Sequence, residues 1–417
     1  MKLHFYLILP FFSLFALIAC DKDEATDKRH DVREDIVLTK SQLEFVQQGN
    51  QLGFKLLNEL IQEKEDACAL SPLSAQIALG MLSVGADGVT EEQLLSLLGF
   101  SEDATETIQY LSSLCEQLKL MDRKTDLSLS NLLLLNSLFA DRFLSSYTQT
   151  LSSYYDAIVR SRDFGMENKE ALVNEINSWS NQHTNGHIPQ LLEPEDIRAD
   201  VVSCLMNALY FNSQWAVPFK KENTRQDDFT STDGAVRRVP MMFQKKTHLY
   251  YENDELQAVT LGYGNGAFCF TTILPKDGVS VLKIVEELKD GLFGAINNLA
   301  SYETVAVSLP AFENVFTVDM IPLCSSFGLT SAFDELNADF SKMISLNGVY
   351  VSSFKQKLFI RVNEQGAEAS AVTHVETSEV TGPEEELPWK EFKANHPFLY
   401  VISETSSQTI LLTGLFS

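Results

Sequence analysis

Residues 364–371 are Glu364-Gln365-Gly366-Ala367-Glu368-Ala369-Ser370-Ala371, and they open a segment that closes at Gly382-Pro383. Alternate positions on one face of this segment are small or β-branched: Ala367, Ala369, Ala371, Thr373, Val375 and Thr377. The positions between them are polar in five cases of six. A period of two is typical of a strand, and a dozen such residues would span roughly 40 Å. The small face predicts a strand that can slide into the middle of a sheet, and the alternative is an ordinary half-buried strand.

The rest of the chain divides into a helical half and a strand-rich half. Apolar spacing and capping residues predict helices at 41–65, from Ser71-Pro72, from Thr90 as N-cap, at 103–121 and at 168–181. Long apolar runs predict buried strands at 127–139 and 201–211. Beyond Arg225 strands and turns dominate, and Tyr263-Gly264-Asn265-Gly266 is typical of a hairpin turn. No linker or repeat follows residue 40, so the sequence predicts one large α+β domain.

The charge and the motifs exclude several classes of function. The chain has 57 acidic and 32 basic side chains and a formal charge of −25, which opposes binding to nucleic acid and to anionic lipid. The motifs G-x-S-x-G and H-E-x-x-H are absent, and Asn185-Gly186 separates His183 from His187. Neither an enzyme nor a metal site is therefore predicted, and no cofactor is expected. Five further cysteines follow Cys20 without a C-x-x-C spacing, which favours buried free thiols.

The first forty residues predict export and a lipid anchor. An apolar run after Lys2 is too short to span a bilayer and is typical of a signal peptide over residues 1–20. It ends at Leu17-Ile18-Ala19-Cys20, which resembles the bacterial lipobox and makes Cys20 the expected lipidation site. Residues 21–40 are expected to form a charged tether. The expected location is the extracellular face of a bacterial outer membrane, and the alternatives are the periplasm or secretion after an ordinary signal.

The segment that begins at Glu364 resembles the hinge of inhibitory serpins, in which a glutamate and a glycine precede a run of small residues. Further blocks similar to this family follow in the expected order within residues 41–417: Ser71-Pro72-Leu73-Ser74, Asn207-Ala208-Leu209-Tyr210-Phe211, Leu309-Pro310-Ala311-Phe312, Ala338-Asp339-Phe340-Ser341 and Thr413-Gly414-Leu415-Phe416. The resemblance implies the serpin fold, with about nine helices around three β-sheets and an exposed reactive-centre loop at about 364–390.

The resemblance also implies a mechanism and the residues that perform it. A protease serine attacks the serpin loop as if it were substrate, and the cleaved loop then enters the central sheet and carries the acyl-enzyme with it. Family spacing places the reactive bond at Val380-Thr381, which favours elastase-like serine proteases. Subtilisin-like proteases and papain-like cysteine proteases are further expected partners. The implied hinge residues are Glu364, Gly366, Ala367, Ala369 and Ala371.

Two regions of the central sheet, called the shutter and the breach in this family, complete the implied site. The resemblance assigns five residues to them: Ser71, Ser74, Asn207, Trp215 and Gln356. Gln356 stands where many relatives have histidine, so amide hydrogen bonds are expected near Ser71, Ser74 and Asn207. The chain is expected to act as a monomeric inhibitor. The alternative is a non-inhibitory serpin-fold lipoprotein that binds a partner at the cell surface, and the small buried face of the hinge favours inhibition.

Overall fold

The computed structural model describes residues 28–64, 66–100, 104–197, 201–366 and 388–417. Nine α-helices occur in these residues: α1 (Lys40–Lys64), α2 (Pro72–Gly85), α3 (Gly88–Leu98), α4 (Ala104–Leu120), α5 (Ser145–Tyr154), α6 (Lys169–His183), α7 (Val281–Lys289), α8 (Leu292–Leu299) and α9 (Met320–Ser326). The same residues contain the strands β1 (Cys68–Leu70), β2 (Thr125–Asn136), β3 (Ala157–Arg162), β4 (Ser203–Ser213), β5 (Arg225–Thr230), β6 (Val236–Glu252), β7 (Leu256–Tyr263), β8 (Phe268–Pro275), β9 (Ser301–Pro310), β10 (Phe312–Asp319), β11 (Lys355–Val362), β12 (Lys390–Lys393), β13 (Phe398–Glu404) and β14 (Ile410–Phe416). The predicted α+β class, with about nine helices and three sheets, is confirmed. Within the described ranges, no helix combines the length and the apolar character needed to cross a bilayer.

Capping chemistry explains where two early helices begin. α2 starts after Ser71, whose Oγ accepts a hydrogen bond from the Ser74 N–H at 3.1 Å. The prediction that Thr90 caps α3 is wrong, because Asp87 is the N-cap and its carboxylate accepts the following N–H. Aspartate is at least as good an N-cap as threonine. Thr90 is instead buried inside the helix, where its Oγ1 accepts a main-chain N–H from a distant segment.

The strands of the described residues form three sheets. The largest has the order β1-β14-β13-β8-β7-β6-β9-β12, with β5 paired to β6. The other two are the three-stranded sheet β3-β2-β4 and the two-stranded sheet β10-β11. The predicted hairpin turn joins β7 to β8, and Gly264 and Gly266 take φ values of +47° and +90° there, which glycine adopts without strain. β13 and β14 are buried along their whole length, as expected of strands covered on both faces.

The end of the charged N-terminal region lies against the fold. The His30 N–H donates to the Leu120 carbonyl at 2.9 Å, and the Arg123 N–H donates to the His30 carbonyl at 2.9 Å. Ile36 is buried with the main core, and its N–H donates to Ser406 Oγ at 2.9 Å. The composition of this region gave no sign of these contacts, because main-chain groups make most of them.

Candidate functional site

Two strands face each other without pairing. β4 is the edge strand of the three-stranded sheet, and β11 is the edge strand of the two-stranded sheet. Both line one cavity of about 200 Å³, β4 through residues 203–207 and β11 through residues 355–357. Beyond the C-terminal end of each strand the chains meet again, at Gln214 and Gly366. The two strands therefore run in the same direction, and the space between them is here called the β4–β11 gap.

The upper end of this gap, where the two strands end, is closed by hydrogen bonds. The N–H groups of Trp215 and Phe219 donate to the carbonyls of Gln365 and Glu364, each at 2.8 Å. The indole Nε1 of Trp215 donates to the Asn363 carbonyl, also at 2.8 Å. These hydrogen bonds hold the start of the 364–390 region against the chain that follows β4. Most of them involve main-chain groups.

Glu364 and Gly366 are held at this upper end by specific contacts. Thr224 Oγ1 donates to the Glu364 carboxylate at 2.7 Å. Gly366 has a φ of +144°, which residues with a side chain rarely adopt. A Cβ at this position would lie 2.1 Å from the Ser213 carbonyl oxygen. Glycine is therefore required here by the close approach of the chain to the end of β4.

Lower in the gap, the side-chain amide of Gln356 pairs with both main-chain groups of Ser71. Gln356 Oε1 accepts the Ser71 N–H at 2.7 Å, and Gln356 Nε2 donates to the Ser71 carbonyl at 2.9 Å. Ser71 Oγ donates to the Leu411 carbonyl at 2.6 Å. Ser71 is 0% exposed and Gln356 is 7% exposed, so water cannot replace these bonds. They join β11, the start of α2 and β14.

A second set of hydrogen bonds begins at Ser74 and runs across β4 and β2. Ser74 Oγ donates to Asn207 Oδ1 on β4, and Asn207 Nδ2 donates to Asn131 Oδ1 on β2 at 2.7 Å. Asn131 Nδ2 donates to the Tyr155 carbonyl at 2.6 Å. Because Ser71 Oγ accepts the Ser74 N–H, one network links both sides of the gap through the first turn of α2. Movement of β4 away from β11 has to rearrange this network.

The segment after α6 also bridges the two strands. The His187 ring stacks on Phe359 of β11 with a centroid distance of 4.1 Å, and it lies 5.8 Å from the Tyr210 ring of β4. Lys355 Nζ on β11 donates to Asp196 Oδ1, in the same segment, at 2.7 Å. These contacts span the gap through side chains, without backbone pairing.

The described residues contain no group of three His, Cys, Asp or Glu side chains placed to hold a metal ion. His183 Nδ1 lies 2.8 Å from Ser130 Oγ. Burial raises the pKa of the Cys115 and Cys204 thiols to about 12. The prediction of buried free thiols is confirmed for Cys68, Cys269 and Cys324, whereas Cys115 and Cys204 are free but half-buried.

The structure brings part of the sequence-predicted site together. Ser71, Ser74, Asn207 and Gln356 form one network, whereas Trp215 lies at the upper end of the gap with the first hinge residues. Six predicted residues lie outside the described ranges: Cys20, Ala367, Ala369, Ala371, Val380 and Thr381.

Known proteins share both the sequence pattern and this architecture. The sequence model of the family described as "Serpin (serine protease inhibitor)" matches residues 47–417. The chain belongs to the serpin family. Serpin B13 of Homo sapiens is 30% identical over 386 residues, which cover 88% of this serpin and 97% of that one. Neuroserpin of Gallus gallus is 27% identical over 376 residues, which cover 87% and 89% of the two chains.

Solved serpin structures have the same fold. The thermophilic serpin tengpin in its native state gives a TM-score of 0.80 at 27% identity, over 93% of this serpin and 97% of tengpin. Human thyroxine-binding globulin, solved in complex with thyroxine, gives a TM-score of 0.78 at 24% identity, over 90% and 98% of the two chains, and shares the fold. Serpins are generally protease inhibitors rather than enzymes, so proteases are the general class of partner.

Asn131, Tyr155 and Thr224 are among the residues that extend the site of this serpin beyond those that the sequence indicated. Asn131 is a polar residue within the apolar run 127–139. Because buried amides need hydrogen-bond partners, its position in the sequence could have indicated a buried hydrogen-bond network. Tyr155 takes part through its carbonyl and Thr224 through a single hydroxyl. No sequence pattern distinguishes those two groups from the many others like them.

Proposed function

We propose that this serpin inhibits elastase-like serine endopeptidases as a suicide substrate. The protease serine attacks the carbonyl carbon of Val380, the bond to Thr381 breaks, and the new amino end leaves while the protease stays joined to Val380 as an ester. The hinge then enters the β4–β11 gap as a strand antiparallel to both neighbours. Insertion carries the ester away from the upper end of the gap before water can hydrolyse it.

The β4–β11 gap is the observation that carries this proposal. β4 has 11 residues, or about 36 Å at 3.3 Å per residue. The alternating segment after Gly366 would span roughly 40 Å, so the two lengths match. Among the described residues, β4 and β11 each pair with a neighbour on one side only. An incoming strand would supply partners for the main-chain groups on their facing edges.

Strand edges that have no partner in the described part of the chain also explain how the intact chain would store free energy. A new central strand forms two ladders of hydrogen bonds, each bond contributing about 0.5–1.5 kcal/mol net, so insertion is favoured by on the order of 10 kcal/mol. The intact state nevertheless persists, because the upper hydrogen bonds at Trp215 and the Gln356–Ser71 pair must open first. Such a state is kinetically stable: it persists because its conversion is slow, although it is not the free-energy minimum.

The residues around the proposed bond support an elastase-like target. Val380 is small and β-branched, which suits a shallow apolar specificity pocket. Trypsin-like proteases require a lysine or arginine before the bond, and neither occurs between Gly366 and Lys390. Subtilisin-like and papain-like proteases with apolar pockets are secondary targets of the same loop.

Mixing the mature serpin with pancreatic elastase is expected to give an adduct that survives denaturation. Intact mass spectrometry should show the sum of the two masses less a peptide that begins at Thr381. Elastase whose catalytic serine has been blocked is the control and should give no adduct, because no ester can form. Clean cleavage without an adduct, across several protease classes, would exclude inhibition and favour a non-inhibitory binding lipoprotein.

We also propose that lipid on Cys20 displays this serpin on the extracellular face of a bacterial outer membrane, with the anchor as its sole membrane contact. The lipobox-like Leu17-Ile18-Ala19-Cys20 and the acidic run that starts at Asp21 support this. The Cys20→Ala chain is expected to leave the membrane fraction. Equal membrane retention of both chains would contradict lipidation.

A further inference from the structure

The N-terminal region is fastened to the fold through residues 29–36, here called the docked segment. At its start, Arg29 Nη1 donates to the Thr125 carbonyl at 3.0 Å. At its end, the Ile36 N–H donates to Ser406 Oγ at 2.9 Å, and the Ile36 side chain is 7% exposed and packs in the main core. Because these contacts come from distant parts of the chain, they fix the place where the N-terminal region leaves the fold.

That place is the upper end of β2 and β4. Thr125, which accepts the hydrogen bond from Arg29, is the first residue of β2 and pairs with Ser213, the last residue of β4. The next residue, Gln214, forms an isolated bridge with Gly366, where the described part of the loop region ends. The N-terminal region therefore leaves the fold at the same end from which the loop starts.

The chain between this exit and the proposed lipid is short. Lys28 is the first residue that the structure describes, and it lies eight residues after Cys20, which corresponds to at most about 28 Å of extended chain. β4 has 11 residues and spans about 36 Å from its lower to its upper end. The link to the lipid is thus shorter than the strand. An anchored chain keeps its upper end near the membrane, and its lower end lies on average farther away.

We propose that the docked segment orients this serpin on the membrane, with the upper end and the start of the loop next to the lipid surface. The serpin then meets its protease close to the membrane, and insertion carries the protease toward the lower end, away from the membrane. The formal charge of −25 opposes adsorption of the folded body onto anionic lipid, so the exit point of the chain sets this orientation. The proposal rests on the lipid anchor and, for the movement of the protease, on the inhibitory function proposed above.

Energy transfer from the serpin to the membrane tests the orientation. Lys221 is exposed near the upper end, and Leu138 is 70% exposed just beyond the lower end of β2. Each is changed to cysteine and labelled with a donor dye, and the lipidated chains are bound to phosphatidylcholine vesicles that carry an acceptor dye on some headgroups. Transfer from Lys221→Cys is expected to exceed transfer from Leu138→Cys at least about twofold, because the two positions differ in height by about the length of β4. The chain without an added cysteine is the control and should take up little dye, because burial raises the pKa of each described thiol.

Ile36→Asp tests whether the docked segment sets the orientation. A carboxylate in the core without a partner is costly, so the docked segment should detach. The link would then run from Cys20 to the start of α1 at Lys40, at most about 70 Å, and the difference between the two labels should largely disappear. Val37→Asp is the matched control, because Val37 is adjacent but 89% exposed, and this variant should keep the difference. A difference that persists in Ile36→Asp would show that the docked segment does not orient the chain.

A donor dye on elastase follows the movement of the protease. Elastase with its catalytic serine changed to alanine binds the loop reversibly, and it should show strong transfer to the vesicles. Active elastase in the adduct should show weaker transfer, because insertion has carried it to the lower end. An adduct in which transfer is undiminished would overturn the movement away from the membrane.

The outcomes separate this proposal from those on which it rests. Equal transfer from the two serpin labels, or stronger transfer from Leu138→Cys, overturns the orientation and leaves the inhibitory function untouched, because no protease is present in that measurement. No transfer from either label overturns the lipid anchor and the orientation with it. No adduct with any protease overturns the inhibitory function and the movement of the protease, but not the orientation. Thermal unfolding of each variant confirms that it is folded.

Discussion

Ala369→Arg is expected to convert this serpin from an inhibitor into a substrate. Ala369 belongs to the small face of the hinge, which the proposed mechanism buries between β4 and β11. Burial of a charged side chain without a partner costs several kcal/mol. The number of serpin molecules consumed per protease inhibited is one plus the ratio of the hydrolysis rate to the insertion rate. If about 2.8 kcal/mol of that cost appears in the transition state for insertion, insertion slows about a hundredfold, and hydrolysis of the acyl-enzyme wins. From a wild type in which about one acyl-enzyme in ten is hydrolysed, this number should therefore rise about tenfold, as measured by titration of elastase.

Glu368→Arg is the matched control for this experiment. Position 368 is adjacent to Ala369 but lies on the opposite, polar face of the segment. This polar face stays at the protein surface after insertion. This variant should keep the stoichiometry of the wild type, although it reverses a charge. Equal stoichiometry for both variants would show that it does not matter which face of the hinge strand carries the arginine. That result would contradict the insertion mechanism.

Gln356→Leu is expected to destabilise the intact chain strongly. The amide of Gln356 satisfies both the N–H and the carbonyl of Ser71, which is fully buried. Leucine is similar in size but leaves the buried Ser71 N–H without a partner, whereas the Ser71 carbonyl keeps its hydrogen bond from the Ala75 N–H at 3.1 Å. An unsatisfied buried donor costs about 1–3 kcal/mol, so the native state should lose roughly that amount, seen as a lower midpoint of thermal unfolding. Strand opening should also become faster, seen as a shorter half-life of inhibitory activity on warming.

Gln47→Leu is the control for this change. Gln47 is exposed on α1, so the same substitution alters no buried polar group, and a change within about 0.5 kcal/mol is expected. If the Gln356 variant and the Gln47 variant unfolded at the same temperature, the Gln356–Ser71 pair would have no role in holding the gap.

The sequence was sufficient for the fold class and for the local elements. The alternation after Glu364, the Ser71-Pro72 helix start and the Tyr263–Gly266 turn all follow from short-range rules of spacing and capping. The described structure confirms that helix start and that turn. Thr90 shows the limit of such rules, because two good capping residues lie three positions apart and tertiary burial selects between them.

Contacts between distant segments could not be predicted in this way. The pairing of Gln356 with Ser71 joins residues 285 positions apart, and only the fold determines which main-chain groups an amide reaches.

Thermal unfolding of the chain after loop cleavage tests the central claim most directly. The mature serpin is nicked within 375–381 by any protease that is not trapped, and its unfolding midpoint is compared with that of the intact chain. If the cleaved loop fills the β4–β11 gap, its two new ladders of hydrogen bonds should raise the midpoint by at least about 10 °C. An unchanged or lower midpoint would show that the cleaved segment stays outside the sheet, and would contradict inhibition by strand insertion.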